Sequence, residues 1–256
     1  MKRKLSLKLF DSNTIFVPKL LIMKRTAVVF GSTGLVGKEL VFELLEDKSF
    51  EKIKAVTRKP LTIVDPSLEQ IIIQDFNSLN SYKDRLSADV YFCCIGTTIH
   101  TAGSQKAFEA VDFGIPVEVA KLACELSVSS LMIISSVGAN PNSSNFYLRT
   151  KGKMEEKVSE VYKDNLKFVR PSLLQGHRNE NRMGEKFAGW LAPIFKLFLW
   201  GNLAKYSPIL SWDVARGMIQ AVNLPKEKKI VYSDELKELA HKIPRPNKKP
   251  FLFGPI

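Results

Sequence analysis

Thr26 to Gly37 reads T-A-V-V-F-G-S-T-G-L-V-G. A short β-prone run ends in three glycines spaced G-x-x-G-x-x-G, and a helical pattern starts at once. A dinucleotide pyrophosphate needs that order. Gly31 permits a sharp turn off the strand. Gly34 lets the backbone approach the phosphates with no Cβ in the way, and Gly37 lets the helix pack close to the sheet. The helix N-terminus then offers unpaired N–H groups to the anion. Without a ligand, the same glycines would describe an ordinary tight β–α turn.

Outward from this stretch, strand and helix patterns alternate, which predicts an α/β fold: a doubly wound parallel sheet with helices on both faces. The first strand is expected near 26–30 and a helix near 35–46. Strands follow at Lys52–Thr57 and Gln70–Gln74. Asp89–Ile95, D-V-Y-F-C-C-I, reads as a buried central strand. A helix is expected over Gln105–Leu126, a strand over Leu131–Ile134 and a helix over Phe146–Tyr162. The strand Lys167–Arg170 is stopped by Pro171. Ser211 is a plausible N-cap for the next helix. A strand at Lys229–Tyr232 and a helix at Asp234–His241 complete the pattern. Residues 24–241 are therefore expected to form one domain, with 1–23 an extension outside it and 242–256 a basic tail.

The chain has 256 residues and 45% hydrophobic content, enough for a sizeable core. Its net charge of +12 is concentrated at the ends. Residues 1–25 carry +6 and residues 242–256 carry +4, so the centre is nearly balanced. A nucleic-acid binder would place its charge on a folded face, and none is expected here. No stretch is long and apolar enough to predict a spanning helix. Three cysteines, Cys93, Cys94 and Cys124, without C-x-x-C spacing, argue against disulfides and zinc. His100, His177 and His241 are scattered singly, so no metal site is expected. These features point to an intracellular, cytoplasmic protein.

Strand two ends A-V-T-R-K-P. An acidic residue usually stands at this point to bind the ribose 2′-hydroxyl, yet Arg58 and Lys59 occupy it. A 2′-phosphate would meet no carboxylate there, and Arg58 could stack on adenine while binding it. The expected cofactor is therefore NADP(H) rather than NAD. Asp75, after strand three, could meet the adenine amino group. Gly96 gives close backbone access to the middle of the cofactor, with Thr97 and Thr98 as hydrogen-bonding groups behind it.

Tyr147 and Lys151 form Y-x-x-x-K on one face of a predicted helix. Hydride transfer to a carbonyl creates an alkoxide that needs a proton, and tyrosine can donate one. A neighbouring ammonium favours the phenolate, so Lys151 is expected to lower the Tyr147 pKa. Lys151 could also hold the nicotinamide ribose. Ser136, at the end of its strand, could bond the substrate oxygen as charge builds, with Ser135 as the alternate.

The glycine motif, F-C-C-I-G-T-T, I-I-S-S-V-G-A, S-S-N-F-Y-L-R-T-K-G and F-V-R-P-S-L-L together resemble the short-chain dehydrogenase/reductase superfamily. More narrowly, they resemble its atypical branch of Tat-interacting-protein-like oxidoreductases, over about residues 25–240. The resemblance implies a Rossmann domain with NADPH across the carboxyl edge of the sheet. It implies Ser32, Gly34, Leu35 and Val36 at the phosphates and Arg58 and Lys59 at the 2′-phosphate. It also implies Tyr147 and Lys151 as the acid–base pair, assisted by Ser136, with Leu174 and Arg182 near the nicotinamide. One departure stands out. Many members carry an asparagine in the helix after the fourth strand as part of a proton relay, and Asp112 holds that position here.

Residues 184–200, G-E-K-F-A-G-W-L-A-P-I-F-K-L-F-L-W, lie inside an expected substrate-covering segment, 175–207. They read as a lid over an apolar carbonyl compound, as a peripheral membrane contact, or as a surface buried against the domain or a partner subunit in a homodimer. The expected function is NADPH-dependent reduction of a small carbonyl substrate with Tyr147 as acid/base. The alternative is an NADPH-binding sensor that acts through a partner protein without catalysis.

Overall fold

The computed structural model describes residues 24–175 and 205–242. The expected N-terminal extension, most of the covering segment with Arg182 and 184–200, and the basic tail beyond residue 242 lie outside the described residues.

The main sheet is built from β1 (Arg25–Phe30), β2 (Phe50–Thr57), β3 (Leu68–Ile72), β4 (Val90–Cys93), β5 (Ser130–Ile134), β6 (Asn165–Arg170) and, at its edge, β9 (Ile230–Tyr232). A separate short pair joins β7 (Leu174–Gln175) to β8 (Ile209–Leu210). The main order is β3-β2-β1-β4-β5-β6-β9, with every pairing parallel. The winding reverses between β1 and β4. In such a sheet a crevice opens at the carboxyl ends of the strands flanking that reversal, and ligands bind there.

Both sheet faces are covered, as the apolar runs of the central strands demand. Along β4, Val90 and Phe92 join one core while Tyr91 and Cys93 join the other. The first core is closed by α1 (Leu35–Glu46), α7 (Ser211–Ala221) and α8 (Ser233–His241), which contribute Leu40, Leu44, Met218 and Leu236. The second is closed by α5 (Ile115–Glu125) and α6 (Phe146–Val161) through Val119, Leu122, Met154 and Val158.

Several boundaries differ from expectation for local reasons. The turn at Asp65–Ser67 brings Leu68 into register with Ile53, so β3 starts two residues before Gln70. The Gln70 side chain instead fastens the preceding loop, accepting from the Leu61 N–H at 2.7 Å and donating to the Leu61 carbonyl. The N-cap of α7 is Leu210 rather than Ser211, because β8 runs directly into the helix.

The helix expected over Gln105–Leu126 is interrupted. After α4 (Gln105–Glu109) comes a π turn over Ala110–Gly114, and only then α5. The Ile115 N–H reaches back to the Ala110 carbonyl, five residues away. Pro116 supplies the cause. It has no N–H for the Asp112 carbonyl, and its ring would crowd that carbonyl in a regular helix. The wider turn relieves the crowding, and it carries Asp112.

Candidate active site

The glycine turn sits at the switch point, between the carboxyl ends of β1 and β4. Gly31 adopts φ +79°, a left-handed conformation that disfavours any residue with a Cβ. A Cβ there would also stand 3.0 Å from the Cys94 backbone, just past the end of β4. At Gly37 a Cβ would lie only 2.2 Å from the Gly31 carbonyl oxygen, so glycine is what lets α1 start against the turn. The N-cap of α1 is Gly34, which offers no side-chain cap. The first turn of α1 holds no acidic residue. Its leading N–H groups, those of Leu35 and Val36 included, have no intrahelical partner. The Ser32 hydroxyl donates inward to the Val56 carbonyl at 3.1 Å, so any phosphate contact from Ser32 is through its backbone. Val36 is likewise buried and has only its backbone to give.

Arg58 and Lys59 follow directly on β2, and both are exposed. Their loop is tied down by Thr57, which donates to the Lys59 carbonyl at 2.8 Å, and by Gln74, which donates to the Arg58 carbonyl at 3.0 Å. Gln74 in turn sets Asp75 beside this loop. Asp75 is exposed, and its carbonyl accepts from the Ser78 hydroxyl.

The densest cluster of polar side chains lies across the switch point, where α6, the π turn and the ends of β4 and β5 meet. Asn145 caps α6 by accepting from the Leu148 N–H, which starts the helix so that Tyr147 and Lys151 share a face. Lys151 is 2% exposed and Asp112 is 1% exposed. The Lys151 ammonium sits 2.8 Å from Asp112 Oδ1. Asp112 Oδ2 accepts from the Thr97 N–H, also at 2.8 Å. Gly96 lies against the pair, its absent Cβ 3.4 Å from Asp112 Oδ1. Tyr147 lies beside Ser136, whose hydroxyl donates to the Val137 carbonyl at 3.3 Å, and packs its ring on Phe108, with centroids 5.7 Å apart. Ser136 is half-buried and touches Tyr147, whereas the Ser135 hydroxyl is buried with no hydrogen-bond partner among the described residues. Thr98 caps the short helix α3 (Ile99–Ala102) by accepting from the Thr101 N–H.

The electrostatics correct one expectation. Burial pushes the Tyr147 phenol above its ordinary value; Lys151 pulls the other way, and Asp112 adds to the rise. The net direction is therefore upward, where Lys151 alone was expected to bring it down. For Lys151, burial works most strongly against the charge, but Asp112 and, after it, Tyr147 together outweigh burial and hold the ammonium above the usual lysine value. Burial also pushes the nearby Cys93 thiol up, to about 11.

The sequence reading named Asp112 as a departure at the relay position but did not foresee its ion pair with Lys151. Its signal was present: a lysine on the buried face of a helix needs a carboxylate. Leu174 lies in β7, just beyond the carboxyl end of β6, half-buried against the core on the α1 side. A separate surface groove, lined by Gly152, Glu155, Glu156, Lys163, Arg170 and Lys229 among others, contains none of the site residues.

No family model matches the chain. A yeast relative, protein FMP52 of Debaryomyces hansenii, is 33% identical over 185 residues, covering 72% of this chain and 78% of its own length. The rat protein HTATIP2 is 34% identical over 177 residues, covering 68% of this chain and 71% of its own. The chain belongs to the FMP52/HTATIP2 family. This is the Tat-interacting-protein-like branch of the atypical short-chain dehydrogenases/reductases to which the motifs pointed. Among solved structures, MoeE5 in complex with UDP-glucuronic acid and NAD overlays with a TM-score of 0.62 at 18% identity, covering 84% of this chain and 81% of that one. A monomeric L-threonine 3-dehydrogenase gives 0.61 at 17%, covering 83% and 80%. At such identities the likeness shows the fold alone, and the fold is the Rossmann type. FMP52 of D. hansenii and its counterparts in Scheffersomyces stipitis and Candida glabrata are named as mitochondrial. For this FMP52/HTATIP2 member, that finding overturns the cytoplasmic placement drawn from the cysteines, which report a reducing environment but not a compartment.

Proposed function

We propose that this protein is an NADPH-dependent reductase of a small carbonyl compound. The observation that carries the reading is the Ser136–Tyr147–Lys151 cluster, set at the switch point opposite an uncapped, acid-free helix N-terminus. The residues fit a dinucleotide. The first turn of α1 leaves N–H groups for a pyrophosphate, and Gly31, Gly34 and Gly37 keep side chains out of the way. Arg58 and Lys59 offer exposed cations where a 2′-phosphate would lie, with Asp75 nearby for the adenine. Leu174 follows β6, and the family resemblance would put it at the nicotinamide end together with Arg182, which lies outside the described residues.

Bound NADPH supplies the hydride that adds to the carbonyl carbon. This chain's part is to provide the matching proton and to stabilise the oxygen as its charge grows. Tyr147 gives its phenolic proton to that oxygen. Ser136, beside Tyr147, donates a hydrogen bond to the same oxygen. Lys151 holds a positive charge beside the phenol and favours the phenolate left after transfer. The relatives' names support a mitochondrial setting for the reaction.

Oxidation of NADPH should be followed against a panel of aldehydes, ketones and quinones. With a substrate found, Tyr147→Phe is expected to lower kcat by about a hundredfold or more. Coenzyme affinity should stay within about twofold, since that change removes only a hydroxyl. Unchanged turnover in Tyr147→Phe would remove this tyrosine from the chemistry.

A further inference from the structure

We infer that Asp112, through its pair with Lys151, is the positioning residue that keeps Tyr147 a neutral phenol, the form that can donate a proton. The inference rests on the reading of Tyr147 as the acid/base group and adds to it the group that sets its resting protonation state.

The argument starts from charge in a buried space. The Lys151 ammonium and the Asp112 carboxylate are almost fully withdrawn from solvent and stand 2.8 Å apart. With Tyr147 protonated, the three groups sum to zero charge. Tyr147 is itself half-buried at the edge of that space, and ionising it would leave a net negative charge beside the buried pair, which the poorly solvated surroundings oppose. Without the carboxylate, the cluster would instead begin at a net positive charge. Loss of one proton would then bring it to neutrality.

The carboxylate is held where it acts. The Thr97 N–H grips its second oxygen, and the π turn dictated by Pro116 delivers it to the site. Among the described residues, the other groups near the phenol carry no charge at neutral pH: Cys93 from β4, Ser136 from the end of β5 and Phe108 from α4. Asp112 is thus the carboxylate that faces the Tyr147–Lys151 pair. A neutral amide at the same place would leave Lys151 to be balanced by the phenolate itself.

The test is an alkaline titration of the whole chain without coenzyme, read by near-ultraviolet phenolate absorbance. The Tyr147 contribution is obtained by difference from Tyr147→Phe. In the native protein no Tyr147 phenolate should appear below about pH 10, the ordinary value for tyrosine. In Asp112→Asn the cluster should lose its first proton at least about one pH unit lower, and part of that loss should appear as phenolate. Asp112→Glu, which keeps the carboxylate, should return the titration toward native. Equal titrations for native and Asp112→Asn would overturn the inference. So would a native Tyr147 phenolate near neutral pH, a measurement that stands even if Asp112→Asn does not fold. Coenzyme binding measured on the same samples keeps the two readings apart. Its loss in the native protein would speak against the reductase, while the titration would still report on Asp112.

Discussion

Arg58 and Lys59 stand exposed at the end of β2, with no carboxylate paired to either among the described residues. A 2′-phosphate seated between them would gain charge-assisted hydrogen bonds, each worth about 1.5–3 kcal/mol. Replacing both with glutamine should therefore weaken NADPH binding about tenfold or more and leave NADH within a few-fold, as measured by calorimetric titration. Equal losses for the two coenzymes would mean that these cations do not read the phosphate. At this scale the sequence was legible wherever a motif is local. Tyr147 and Lys151 are four residues apart on one helix, so their shared face could be read directly. Asp112 sits within the π turn between α4 and α5, and no periodicity announces that it meets Lys151. The direction of the Tyr147 shift was not legible either. It depends on how deeply the phenol is buried and on a carboxylate brought in from elsewhere in the chain.

Among the elements, β1, the glycine turn and α1 form the unit on which the rest is assembled. The close contact at Gly37 makes a sharp prediction. Gly37→Ala would drive a methyl into the Gly31 carbonyl, 2.2 Å away, and α1 would have to move off the sheet. A loss of about 2–3 kcal/mol is expected, lowering Tm by about 5–10 °C, together with weaker coenzyme binding. A variant with native Tm would mean that the turn tolerates more space than its geometry shows. The bounds of α1, 35–46, agreed with expectation because both ends are marked locally. Glycine precedes it, and its apolar residues recur at helical spacing up to Glu46. The start of β3 was missed because the turn at Asp65–Ser67 sets it by bringing Leu68 into register with Ile53, while Gln70 only fastens the loop before it. The helical stretch expected over 105–126 is present over 105–125, but a π turn at 110–114, just before Pro116, breaks its regularity. A proline in the body of a helix forces either a kink or a wider turn, and the choice is made by what surrounds it.

At the level of the whole molecule, the reversal of winding between β1 and β4 unites what the sequence separates. It places the glycine turn after β1, Gly96 after β4, the serines after β5 and the head of α6 along one edge. The alternating pattern was enough to read this architecture, because buried parallel strands demand apolar runs that repeat between amphipathic helices. The compartment was not readable from the same features, and relatives named as mitochondrial corrected it. The claim beneath every residue role is that this edge binds a phosphorylated nicotinamide dinucleotide. Calorimetric titration of the full chain with NADPH and NADH tests it most directly. The account predicts saturable one-to-one binding of NADPH, at least about tenfold tighter than that of NADH. Absence of binding by both reduced coenzymes would contradict it.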